Sequence, residues 1–169
     1  MQLMNIEKAI YRKHLNIVIV GFISTLLILA LIFGQLLIMS FAEEGVNNFK
    51  YNLLGVILSL LACMAILHSI KTSAFFKEIY YVWQVKQTQN LIFRKLKKIK
   101  LAAKDLDQDA LMILTFYYQS QQQVYELDDN TLTITTVNKD LNDLQEKIAE
   151  HNLTIDIEQF DKKMISAYA

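Results

Sequence analysis

The residues able to do chemistry in this chain are few and scattered. Its three histidines, His14, His68 and His151, lie far apart, and its one cysteine is Cys63. A zinc site gathers nitrogen and sulfur ligands at short spacing, so none is expected. A lone thiol also excludes an internal disulfide. Asp105, Asp107 and Asp109 alternate as the first ligands of a calcium loop do, but that loop needs a glycine at its sixth position and a glutamate at its twelfth. Those positions hold Ala110 and Phe116. Acids ahead of an apolar run are what a helix N-terminus favours, and Asp105 to Gln108 suits a capping box. Asp128-Asp129 could form a catalytic carboxylate pair, but with Asn130 after them they read as a turn. There is no phosphate-binding glycine loop and no G-x-S-x-G, H-E-x-x-H or C-x-x-C. The expectation is a protein that is not an enzyme, with no catalytic, metal or cofactor-binding residue, no cofactor and no small-molecule substrate to name.

The elements that would position any site are dominated by two apolar runs. Residues 15–41, LNIVIVGFISTLLILALIFGQLLIMSF, contain no Asp, Glu, Lys, Arg or His. At about 1.5 Å per residue such a helix rises roughly 40 Å, more than the ~30 Å hydrocarbon core of a bilayer. Residues 51–70 follow with no formal charge and only His68. The basic start and Ser40-Phe41-Ala42 have the outline of a cleaved signal, but the apolar run far exceeds a secretory core of ~7–15 residues. An uncleaved anchor is expected.

Positive charge sets orientation. Lys8, Arg12 and Lys13 precede the first run and Lys71, Lys77 and Lys86 follow the second, whereas the loop between has Lys50 with Glu43 and Glu44. Both termini are therefore expected in the cytoplasm, with residues 1–14 as a flank and 42–50 as a short outer loop. Gly55, Ser59 and Cys63 recur every four residues and place small side chains on one helix face. That face could close the hairpin itself or dock a partner's transmembrane helix. Gln35 and Asn52 could bond to each other near the loop. No ionisable group sits at depth in either run, unlike a pump or proton relay.

Residues 71–169 read as a cytoplasmic helical domain. The chain has no proline, and its four glycines all lie in the first 55 residues, which argues for long helices. Net charge is zero, yet 71–104 carries nine Lys/Arg against Glu78 alone, and 105–169 carries four Lys against thirteen acids. The two blocks are expected to pack together, within one chain or between chains.

Phe75, Phe76, Tyr80, Tyr81 and Trp83 suit either an interfacial belt or a buried face. From Val82 the apolar residues Val85, Ile92, Leu96, Ile99, Ala103 and Leu106, with Gln89, form a heptad seam. Lys95 and Lys100 flank it, repelling a parallel copy and favouring an antiparallel acidic neighbour. Arg94, Lys95, Lys97, Lys98, Lys100 and Lys104 are candidate contacts for lipid or a partner. A straight helix would carry Arg94 roughly 36 Å beyond the membrane, so lipid contact requires a helix lying flat. Nucleic acid is disfavoured by the acidic block.

A helix over 105–127 should carry Leu106, Ala110, Ile113, Tyr117, Val124 and Leu127 as its inner stripe, with Leu111, Leu114 and Tyr118 widening it. Tyr117, Tyr118 and Tyr125, with the polar stretch 119–123, are the candidate protein-binding surface. Residues 124–136 allow a short β-hairpin or a turn and a new helix; the helix is preferred, because an isolated hairpin is marginal. Ile134, Val137, Leu141, Leu144 and Ile148 continue it, and a short terminal helix would carry Ile157, Phe160 and Met164. The fold class is all-α: a two-helix transmembrane hairpin followed by a bundle of three to four helices.

The pieces YRKHLN-x-VIVGFI, FGQLLI and FYYQ…YELDDNT together resemble a family of uncharacterised gammaproteobacterial membrane proteins, domain-of-unknown-function family 3087. The resemblance covers most of the chain. It implies a bacterial inner membrane and two spans, and brings no activity and no catalytic residues. From all this the expected function is an accessory or scaffold subunit with a protein partner or as a homo-oligomer. The alternative is an anionic-lipid-binding or membrane-organising protein working through 94–104.

Overall fold

The computed structural model describes every residue except Met1, Glu44, Val46 and Ala169. Five α-helices follow in order: α1 Lys8–Phe41, α2 Phe49–Ile70, α3 Lys77–Lys104, α4 Gln108–Leu127 and α5 Thr131–Glu150. Short 3-10 stretches occupy Ala74–Phe76, Ile157–Gln159 and Lys162–Tyr168. No strand occurs among the described residues, so the all-α expectation holds. Of the loop expected over 42–50, Glu44 and Val46 lie outside the described residues. The chain divides into two compact units: Arg12–Tyr80, and the residues before Arg12 together with those from Tyr81 onward.

In the first unit, α1 and α2 are both long and apolar enough to cross a membrane. Their large side chains point outward on every side, with Leu31 73% exposed. The two backbones touch at Gly34 and Gly55. A Cβ on Gly55 would stand 2.6 Å from the Gly34 nitrogen and 2.8 Å from its Cα, closer than packed atoms come. Ser59 and Cys63 are buried on the same face as Gly55, and the Ser59 hydroxyl donates to the Val56 carbonyl at 2.7 Å. The small-residue stripe is thus spent inside the hairpin. Asn52 lies against Gly34, while Gln35 is exposed.

The second unit is built around α4. Leu111 to Tyr118 are buried without interruption, so α4 is a central helix rather than an amphipathic one. Asp107 caps it, its carboxylate accepting from the Ala110 amide at 2.7 Å. Leu106, expected to belong to the buried stripes on either side, is instead the half-buried turn residue between α3 and α4, with φ of 62°. α3 contributes Val82, Val85, Ile92, Ile99 and Ala103 to the interior, as the seam predicts, together with Thr88. The Thr88 hydroxyl donates to the Gln84 carbonyl at 2.9 Å, which removes the penalty for burying it.

Helix α5 begins at Thr131, with the Asn130 side chain accepting from the Thr133 amide. That cap and the buried Val137, Leu141 and Leu144 outweigh the β-branched run that left a hairpin open. Beyond α5 the expected terminal helix is replaced by two 3-10 stretches. They are pinned by Phe160, whose ring stacks on Phe116 at 3.9 Å between centroids.

Candidate functional site

Two polar constellations stand out in the second unit. One joins the start of the chain to the α4–α5 corner. The Asp128 carboxylate takes Lys86 at 2.7 Å and the Tyr11 hydroxyl at 3.3 Å, and Asp129 pairs with Lys8. The Met4 amide donates to the Tyr81 hydroxyl at 2.8 Å, Tyr81 donates to Gln123 at 3.2 Å, and Gln123 donates back to the Met4 carbonyl at 2.5 Å. Tyr11 is buried. The two aspartates therefore hold different cations and fasten the N-terminal segment to the turn between α4 and α5. Asp129 itself is left-handed, with φ of 56°, a conformation Asp tolerates in turns.

The other constellation lies between α3 and α5, in a cleft of about 350 Å³ lined by Lys100, Tyr118, Asp140, Asp143, Leu144 and Lys147, among others. Lys100 stands 4.0 Å from Asp140 and over the Tyr118 ring at 5.7 Å. Lys147 donates to the carbonyls of Ala103 and Lys104 at 2.7 and 3.2 Å, capping the negative end of α3. Hydrogen bonding to Tyr118 pushes the Lys100 ammonium above its ordinary pKa, although burial opposes this. Burial pushes the Tyr118 phenol up, with Lys100 pulling the other way. The pair is an ammonium beside a neutral phenol. This is the intramolecular pairing of the basic and acidic blocks, at the Lys100 position that the seam singled out.

Two of the three tyrosines expected at a protein-binding surface lie on the buried face of α4, where the inner stripe also places them. Tyr117 and Tyr118 are each 5% exposed and Tyr125 is half-buried. The signal that could have shown this is the uncharged run from Ala110 to Tyr118, too continuous for a one-sided helix. The basic candidates split into two groups. Lys95 donates to the Ile165 carbonyl at 3.1 Å and Lys100 faces Asp140, whereas Arg94, Lys97, Lys98 and Lys104 are exposed. Gly55, Ser59 and Cys63 lie in the hairpin, as described above. Among the described residues no three His, Cys, Asp or Glu side chains come together to hold a metal ion.

The family model for a protein of unknown function, DUF3087, matches residues 1–165. The chain belongs to that family. Membership thus covers both apolar helices and nearly all of the helical unit, and it carries no activity. No curated protein and no solved structure matches the chain.

For this DUF3087 chain the tyrosines give a pH test. Burial is the leading cause that raises Tyr81, Tyr117, Tyr118 and Tyr168. For Tyr168 a hydrogen bond to the Asp107 carboxylate at 2.7 Å adds to it. The neutral phenol is favoured by folding, so this stability is complete below the unfolded pKa of about 10 and is lost as pH rises above it towards the higher folded values. Spectrophotometric titration near 295 nm should show these tyrosines ionising only as helicity collapses. Free titration of all eight tyrosines near pH 10 with helicity intact would contradict the packing described.

Proposed function

We propose that this is a two-span protein of the bacterial inner membrane with both termini in the cytoplasm. Its helical unit serves as a non-catalytic interaction module, an accessory or scaffold subunit. One observation carries the reading: a single folded unit is made from the chain before the apolar part of α1 and the chain after α2. Met4, Lys8 and Tyr11 bond to Tyr81, Gln123, Asp128 and Asp129 across more than 75 residues of sequence. Segments folded together must lie on the same side of any membrane the hairpin crosses. The basic residues flanking both runs favour the cytoplasmic side. The polar side chains of the unit cap helices and tie segments together, the work of a scaffold rather than of a reaction centre.

Purification from native membranes in mild detergent tests the reading. A second protein should co-purify in fixed stoichiometry, and it would name the process served. A particle made only of this chain would overturn the accessory-subunit role.

A further inference from the structure

Opposite its buried stripe, α3 leaves Trp83, Leu91, Phe93 and Leu101 exposed, at 53, 45, 65 and 63%. At about 100° per residue these share an arc of roughly 160° with Arg94, Lys97, Lys98 and Lys104. After Glu78, α3 contains no carboxylate at all. Three further cations of α3 have partners in the unit: Lys86 with Asp128, Lys95 with the Ile165 carbonyl and Lys100 with Asp140. The outward face carries large apolar groups interleaved with cations.

We propose that this face of α3 lies on an anionic phospholipid surface, its aromatic and leucine side chains entering the headgroup layer and its four outer cations meeting lipid phosphates. This rests on the reading of α1 and α2 as membrane spans. Charge complementarity selects an anionic occupant, and the interleaving selects lipid over an acidic protein. Protein interfaces exclude lysine from their apolar centres, whereas interfacial helices set Trp, Phe and Leu beside Lys and Arg. Trp83 is only thirteen residues beyond Ile70, so a lipid surface is held at high effective concentration. The α-helical backbone is also interrupted between Ile70 and Lys77. Ser73 is extended, with ψ of 156°, and Ala74–Phe76 is 3-10. The objection that a continuous helix would lift the cations beyond the reach of lipid therefore falls away.

Trp83 is the only tryptophan, so intrinsic fluorescence reports this face directly. The full chain is reconstituted in vesicles of phosphatidylcholine alone and in vesicles rich in phosphatidylglycerol. In the anionic vesicles Trp83 emission should shift to the blue, and quenching by tail-brominated lipid should be at least about twice as strong. The double substitution W83F/F93W moves the probe ten residues further along α3 and should show the same lipid dependence. Adding R94E, K97E and K98E should return it to the phosphatidylcholine value with helicity unchanged. Equal emission and quenching at position 93 in both lipids would overturn the proposal, as would indifference to the charge reversals. Shielding that instead tracks protein concentration would assign the face to a second copy and also overturn it. None of these outcomes bears on whether a stoichiometric partner co-purifies, so the two readings fail separately.

Discussion

Phe116→Ala is expected to cost the helical unit about 4 kcal/mol, the largest loss available from a single truncation. Phe116 is fully buried at the middle of α4, and Phe160 is 1% exposed and stacked on it with an interplanar angle of 15°. The stack is where the 3-10 tail meets the central helix, so removing the ring leaves a cavity between the two segments. Part of the loss is the ring pair itself, worth roughly 1 kcal/mol beyond its area. Domains of this size hold only about 5–15 kcal/mol in total, so the variant should unfold at much lower denaturant concentration in the same detergent. Phe116→Leu should lose about 1–2 kcal/mol, because volume is largely kept. Denaturant titration followed by near-ultraviolet circular dichroism separates the cases. A Phe116→Ala loss below about 1 kcal/mol would mean that the tail does not pack on α4 as described.

How much of this was legible in the sequence depends on the range of the signal. Periodicity is local, and it located α3, α4 and α5, the α3 seam and the inner positions of α5. Composition is local too, and it marked the two apolar helices. The misses come from long-range packing and from local features that residue type does not announce. Tyr117 and Tyr118 fit both the inner stripe of α4 and a surface beside the glutamine stretch, and only the packing, which leaves each 5% exposed, decides between them. Thr88 escaped the seam because its hydroxyl is satisfied by its own helix. Leu106 looked like a stripe residue, but the junction needs a left-handed residue there, and no glycine or asparagine announces it. The N-terminal flank read as a charged tail. That Lys8 and Tyr11 would find Asp129 and Asp128 more than a hundred residues away is a fact of tertiary pairing, which no window of sequence contains. The candidate site suffered most, since it was argued from expected exposure, and exposure is decided by what packs against what.

Gly55→Leu is the second large effect, and it falls on the hairpin. The Gly55 Cα hydrogens face backbone, not side chain: a Cβ there would meet the Gly34 nitrogen at 2.6 Å, the Gly34 Cα at 2.8 Å and the Ala30 carbonyl at 3.2 Å. A flexible side chain could move aside, but a helix backbone cannot shift without unpacking its neighbours. The two helices must therefore separate, at a cost of about 3 kcal/mol, roughly a hundredfold in the balance between closed and splayed hairpins. Gly21→Leu is the matched control, because a Cβ on Gly21 has nothing within 4 Å and should be tolerated. Cys63, two turns along from Gly55 on the same face and 2% exposed, gives the readout. In membranes its labelling by a permeant maleimide should be slow in the parent protein and in Gly21→Leu, and faster by at least about tenfold in Gly55→Leu. Equal labelling of all three would show that the helices do not meet at Gly34 and Gly55. The small-residue face would then be open to a partner's helix, and the stripe would return to the surface of the protein as a docking site within the membrane.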